Sequence, residues 1–360
     1  MAETGGIDRS YVMVFATTLG LALGALVAAA LYIQPLDGEL TRLGSYSERD
    51  FGGNMSQRRL TGGANQVDAF SGGGDVLVVG DSFSTNGAWQ PYLGRETGLS
   101  WKTLDIRKTS LDGLIASQKY RDDPPRIVIV QCVERELVNF FGGLEFGCGD
   151  VSPREFEGSL PPLVRRDGAQ PVEERRPLFA PARLNLRYAA SVAVKTLAGH
   201  LLGENSGSVR RFDLTTNALF SNRRCSEILV YEGDLDAPAW SKAQIDRAVC
   251  AVRGLQDSVE RSGVTLFLFL LAPDKASAYA QHFVDPVMRR RPDTTQYLVN
   301  VGVRAIRVDL DLGRAIAAGE RDIYSPNGSH WSQRGYEIAA AAIAGHLREI
   351  AAEARRRSGG

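Results

Sequence analysis

The chain has 360 residues, with 42 Lys and Arg against 42 Asp and Glu. A formal net charge of zero excludes a protein held on nucleic acid by a bulk positive field, because phosphate binding draws on an excess of Lys and Arg. Apolar residues at 44% and charged residues at 23% are globular proportions, which excludes a chain disordered throughout.

Residues 1–10 read as a short tail and Tyr11–Ile33 as a transmembrane anchor. The run YVMVFATTLGLALGALVAAALYI holds 23 positions without a charge. At about 1.5 Å per residue, a helix of that length crosses a hydrocarbon core of roughly 30 Å. It has no polar stripe, unlike the helix of a soluble core. A cleaved signal peptide competes with this reading, since Ala28-Ala29-Ala30 offers a cleavage site. Signal peptides, however, carry a basic n-region and an apolar core of about 7–15 residues, whereas Glu3 and Asp8 precede a longer core here. Residues 34–74 are polar and Gly-rich without sustained periodicity, and read as a stalk.

A domain is expected over 75–350. Asp75–Gly80 (DVLVVG) is a short apolar run of the kind that forms a buried parallel strand, and similar runs recur at Arg126–Val133, Val264–Leu271 and Ala305–Leu310. Helical patterns lie between and after them. Ser241 and Gln244 make a capping box ahead of an apolar stripe from Ile245 to Val259, and Ser332–Ala352 is a last helix rich in Ala and Ile. Strands alternating with helices imply an α/β fold, a mostly parallel sheet with helices on both faces. Residues 142–224 break the alternation and read as an insertion lobe in which only Leu184–Leu202 looks helical; residues 351–360 read as a disordered tail. The four cysteines, Cys132, Cys148, Cys225 and Cys250, have no zinc-type spacing, so no metal or cofactor is expected. Cys132 reads as a buried small hydrophobe, and Cys225–Cys250 is the pairing we favour.

Two segments carry chemistry. Gly80-Asp81-Ser82-Phe83-Ser84 follows the first strand, at the carboxyl edge where such sheets bind ligands, and a Ser on a sharp strand-to-helix turn is exposed there. A plain helix cap is the competing role for the same residues. Asn327-Gly328-Ser329-His330-Trp331 precedes the last helix, and His330 is one of four histidines. The other three, His200, His282 and His346, fall within or at the end of helical patterns. A nucleophilic Ser needs a base within hydrogen-bond reach, and sequence separation does not matter if both loops open on one sheet edge.

With Ser first on the sheet and His before the last helix, the chain resembles the SGNH/GDSL hydrolases, whose fold is flavodoxin-like. More closely it resembles the alginate O-acetyltransferase family of AlgJ/AlgX type. The pieces are LTRLGSYSERDFG, VLVVGDSFS, IVIVQCVERELV, LFLLAPDKASAY and IYSPNGSHWSQRGY, spread over about Leu40 to Leu347. The resemblance implies Ser82 as nucleophile and His330 as general base. It sets Glu134 and Arg135 at the position of a family Glu-Arg pair, and Lys275 in a Pro-x-Lys segment near the sheet edge. Asp81, Glu134, Arg135, Lys275 and Trp331 are thus the expected oxyanion or substrate-binding residues. The chain departs from the family at the acid: acetyltransferases have Asp-x-His-Trp and esterases Asp-x-x-His, where this chain has Gly328 and Asn327. Three arrangements stay open: a Ser–His dyad assisted by Asn327, another carboxylate such as Asp81 or Asp322, or a weakened site. By the resemblance, the chain is expected to be a single-pass protein of a bacterial inner membrane with its domain in the periplasm. It would take acetyl from a multi-spanning membrane O-acyltransferase and pass it to a polysaccharide. A carbohydrate esterase with the same site and a non-catalytic polysaccharide-binding subunit are the alternatives.

Overall fold

The computed structural model describes the chain apart from residues 1–8, 34–37, 61–64, 145, 147–159, 167–171, 175–184, 203–206, 237–238 and 359–360. Helix α1 (Arg9–Ile33) is long and apolar enough to cross a membrane, and most of its surface is bare of protein contact. Its last turns are an exception: Leu26, Ala30 and Ile33 pack against Tyr188, Ala189 and Val192 of the helix Leu186–Leu202, the helix expected in the insertion. The segment read as a stalk is instead folded onto the domain. It forms α2 (Glu39–Gly44) and α3 (Glu48–Phe51), whose Leu40, Thr41, Glu48 and Phe51 are buried, and then β1 (Gln57–Arg59). Helices of six and four residues are too short to show a period in sequence.

The central sheet is parallel, built from β2 (Val76–Gly80), β3 (Trp101–Asp105) and β4 (Ile127–Val133). A strand of the insertion, β5 (Val172–Glu174), pairs antiparallel with β1. Strands β6 (Val209–Asp213) and β7 (Glu227–Tyr231) form a separate antiparallel pair, and β8 (Leu266–Ala272) completes the central sheet in the order β3-β2-β4-β8. The fourth expected run contributes only a bridge from Ala305 to Phe269 before turning into the helix Val308–Ala317. Asp309 and Asp311 sit in that helix's first turn, where its dipole favours carboxylates.

Alternation along each strand separates two cores. Val76, Val78, Ile127, Ile129, Leu266 and Leu268 face one side, packed with Tyr336, Ala340 and Ile343 of the last helix, Gln333–Ser358. Leu77, Val79, Val128, Val130, Phe267 and Phe269 face the other, packed with Val249, Val252 and Leu255 of the helix Lys242–Val259. The capping box at Ser241 is formed, with Ser241 N–H donating to Gln244 Oε1 at 2.9 Å. The last helix runs to Ser358, so the expected tail is helical over most of its length. Cys225 is free while Cys250 is disulfide-bonded, so the pairing Cys225–Cys250 is not formed; the partner of Cys250 lies outside the described residues. Cys132 is buried and free, as its apolar strand implies.

Candidate active site

The site begins at the carboxyl end of β2. Gly80 is required there by close approach, because a Cβ would stand 2.7 Å from Gln131 Oε1 and from Ser84 Cβ. Asp81 then caps the short helix α4 (Ser82–Thr85), with Oδ1 accepting from Phe83 N–H at 2.9 Å and Oδ2 from Val133 N–H at 2.6 Å. Both oxygens accept from backbone donors and the residue is fully buried, so Asp81 shapes the turn rather than supplying an acid to His330. Ser82 stands at the first helical position, where a backbone N–H has no intrahelical partner.

The second half comes from the loop before the last helix. Tyr324 and Trp331 form an isolated antiparallel bridge, and Ser325 N–H donates to His330 C=O at 3.1 Å, which closes 325–330 into a tight hairpin. The Lys275 ammonium sits inside it, donating to the carbonyls of Ser325 (2.8 Å), Pro326 (2.9 Å) and Gly328 (3.1 Å). It is fully buried, and desolvation pushes its pKa down to about 7. Expected near substrate, Lys275 is turned inward and holds the loop that carries His330. Trp331 is likewise a core residue, buried with its ring edge-on to Phe83 at 5.0 Å.

These two loops bring together Ser82 and His330, with Ser82 Oγ 2.8 Å from His330 Nε2. The imidazole stacks on Phe83 at 4.6 Å with the rings 30° apart, a packing contact that the sequence reading missed although Phe83 directly follows the Ser. The His330 side chain keeps 26% exposure, so the pair is open to substrate. At the far ring nitrogen, Nδ1, stands Glu39 Oε2 at 3.2 Å, with Ser329 Oγ also 3.2 Å from Nδ1. Ser329 Oγ donates to the same Glu39 oxygen at 2.6 Å. The contact with His330 most of all, and the Ser329 hydroxyl after it, hold the Glu39 carboxyl down at about 2 against the opposing effect of burial. Glu39 was not among the expected residues; it stands one position before the LTRLGSYSERDFG piece and outside it.

The remaining expected residues lie elsewhere. Asn327 turns away from the imidazole and donates from Nδ2 to Glu48 Oε1. Asp322 accepts from Ser221 N–H at 2.8 Å and from the Ser221 hydroxyl, which excludes it as the acid. Arg135 pairs with Asp274 (2.6 Å) and Asp234 (3.0 Å), both fully buried, while Glu134 accepts from Asp274 N–H at 3.1 Å. Burial pushes the Glu134, Asp234 and Asp274 carboxyls up. Arg135 and its carboxylates are thus a buried ion-pair cluster that ties the end of β4 to the segment after β8, rather than an oxyanion hole. Neither of two clefts, of about 960 Å³ and 500 Å³, is lined by Ser82 or His330; Glu134 lines the smaller.

Residues 229–358 match the family model described as SGNH hydrolase-like domain, acetyltransferase AlgX. This is the family whose motifs the chain resembles, and the matched part contains His330 and Lys275 but not Ser82 or Glu39. The match supports an SGNH-like polysaccharide acetyltransferase family and acyl-transfer chemistry. No curated protein and no solved structure matches the chain.

Proposed function

We propose that the protein is a membrane-anchored O-acetyltransferase that moves acetyl onto hydroxyls of a bacterial exopolysaccharide or cell-envelope polysaccharide. The observation that carries this reading is the 2.8 Å approach of Ser82 Oγ to His330 Nε2, at the edge of a parallel sheet in a chain whose residues 229–358 match an acetyltransferase family model. Ser82 Oγ attacks the acetyl carbonyl while His330 Nε2 takes its proton. The tetrahedral oxyanion gathers near the Ser82 N–H, and collapse breaks the bond to the donor, whose leaving group takes the proton from His330. A sugar hydroxyl then gives its proton to the same nitrogen, attacks the acetyl-Ser82 ester, and frees the serine.

The acetyl donor in this reading is a multi-spanning membrane O-acyltransferase, the acceptor is the polysaccharide, and α1 holds the domain at the periplasmic face of the inner membrane. Replacing Ser82 by Ala in cells tests the reading. Polymer acetylation is lost at unchanged protein level if Ser82 carries the acyl group; unchanged acetylation refutes it and leaves a binding role. Incubating the protein with an acetyl ester, with and without oligosaccharide, tests the direction. Transfer to sugar supports the transferase, and release to water alone points to an esterase.

A further inference from the structure

The ring nitrogen that faces away from Ser82 needs a partner. In Ser–His sites a carboxylate there holds the imidazole in the tautomer whose other nitrogen accepts the serine proton, and stabilises the imidazolium once it forms. The positions at which the related motifs place that acid hold Asn327 and Gly328 here, and Asp81 and Asp322 are committed to other donors. We infer that Glu39, on the segment that follows the anchor, is the positioning carboxylate of His330, and that this segment is a built part of the active site. The inference rests on the Ser82–His330 reading.

Four observations place Glu39 there by construction. Its Oε2 is 3.2 Å from His330 Nδ1 and accepts from Ser329 Oγ at 2.6 Å, so the carboxylate is held from two sides. Gly38 lies so close to the His330 loop that a Cβ would stand 2.5 Å from Asn327 Cβ and from its carbonyl oxygen. Leu40 N–H donates to that same Asn327 carbonyl at 2.9 Å, and both Leu40 and Thr41 are fully buried. Glu48, itself buried, then accepts from the Thr41 hydroxyl and from Asn327 Nδ2, which clamps the α2 segment to the loop. Asn327 therefore serves the imidazole at one remove: it anchors the segment that delivers the acid.

The Glu39 carboxyl stays ionised across the working pH range, since it is held down at about 2. Its place in the chain has a further consequence. Glu39 is six residues past Ile33, a reach of at most about 20 Å in extended chain. With α1 in a membrane, the imidazole is oriented by a residue anchored close to the bilayer surface, and Ser82 works near that surface.

The test uses the full chain and p-nitrophenyl acetate as the acetyl donor. Glu39→Gln keeps the shape and removes the charge. It is expected to lower kcat by about 10⁴-fold, the loss that an amide in place of the acid produces in a protease triad. KM stays within about twofold, and Glu39→Asp recovers part of the loss. In the unaltered protein, ¹⁵N-histidine NMR shows His330 with its proton on Nδ1; in Glu39→Gln that preference disappears. Activity of Glu39→Gln within threefold of the parent, beside an inactive Ser82→Ala, overturns the inference and leaves the nucleophile in place. His330 protonated on Nε2 in the unaltered protein overturns it without any variant. An active Ser82→Ala refutes the Ser82–His330 reading itself.

Discussion

Asn327→Asp restores the acid at the position where Asp-x-x-His esterases carry it, and the structure predicts that the change damages the protein. Asn327 Nδ2 donates to Glu48 Oε1, and the other Glu48 oxygen accepts from Thr41 Oγ1, in a site where Glu48 is only 1% exposed. An Asp at 327 turns the donor into a second acceptor facing a buried carboxylate. The lost bond is to a charged group, a class that contributes roughly 1.5–3 kcal/mol, and two adjacent carboxylates either repel or force one to take a proton. We expect a net loss of about 3 kcal/mol by urea unfolding at pH 7. Because the same contact holds α2 against the His330 loop, kcat toward p-nitrophenyl acetate falls as well. An Asn327→Asp protein with raised kcat and unchanged stability refutes the reasoning, since it means that position 327, not Glu39, orients the imidazole.

Three further outcomes follow from the same geometry. Phe83 is fully buried between His330 and Trp331, so Phe83→Ala is expected to cost about 3–5 kcal/mol in denaturant unfolding, while Phe83→Leu keeps most of the stability but lowers kcat by loosening the imidazole. Lys275 is held down at about 7 in the fold against about 10.4 in the unfolded chain, so the folded state binds fewer protons between those values and stability rises with pH across that window. The difference in unfolding free energy between the parent and Lys275→Met should therefore shift in the parent's favour by a few kcal/mol from pH 7 to 10, and a flat difference contradicts the buried ammonium. The Glu39 carboxyl is depressed, so its contribution is fully present above about pH 4.5 and is lost as pH falls toward about 2. With the side chain 39% exposed, solvent screening limits this to about 1 kcal/mol, read as the difference between parent and Glu39→Gln in acid unfolding.

The parts of this molecule legible in sequence are those whose signal is local. Val76–Gly80, Ile127–Val133 and Leu266–Ala272 are continuous apolar runs because parallel strands are buried on both faces, and Ser82 and His330 stand out at the loops that follow such runs or precede the last helix. Ala305–Leu310 has the same composition, yet only Ala305 reaches β8 before the helix starts. What a polar side chain points at is not local. Lys275, Arg135 and Asp81 look alike as charged residues at strand ends, but each turns inward to carbonyls, carboxylates or backbone N–H groups supplied by other segments. Glu39 was hidden for the same reason. It lies in a polar stretch without periodicity and meets its partner from 290 residues away, at Ser329.

In the proposed reaction an acetyl group passes through Ser82. Brief exposure of the full chain to p-nitrophenyl acetate, acid quenching and peptide mass spectrometry test it directly. The expected result is an acetyl adduct on the Ser82 peptide that disappears when acceptor oligosaccharide is added, is absent in Ser82→Ala, and accumulates far more slowly in His330→Ala. Turnover at the parent's rate in Ser82→Ala, or an adduct confined to another residue, contradicts it.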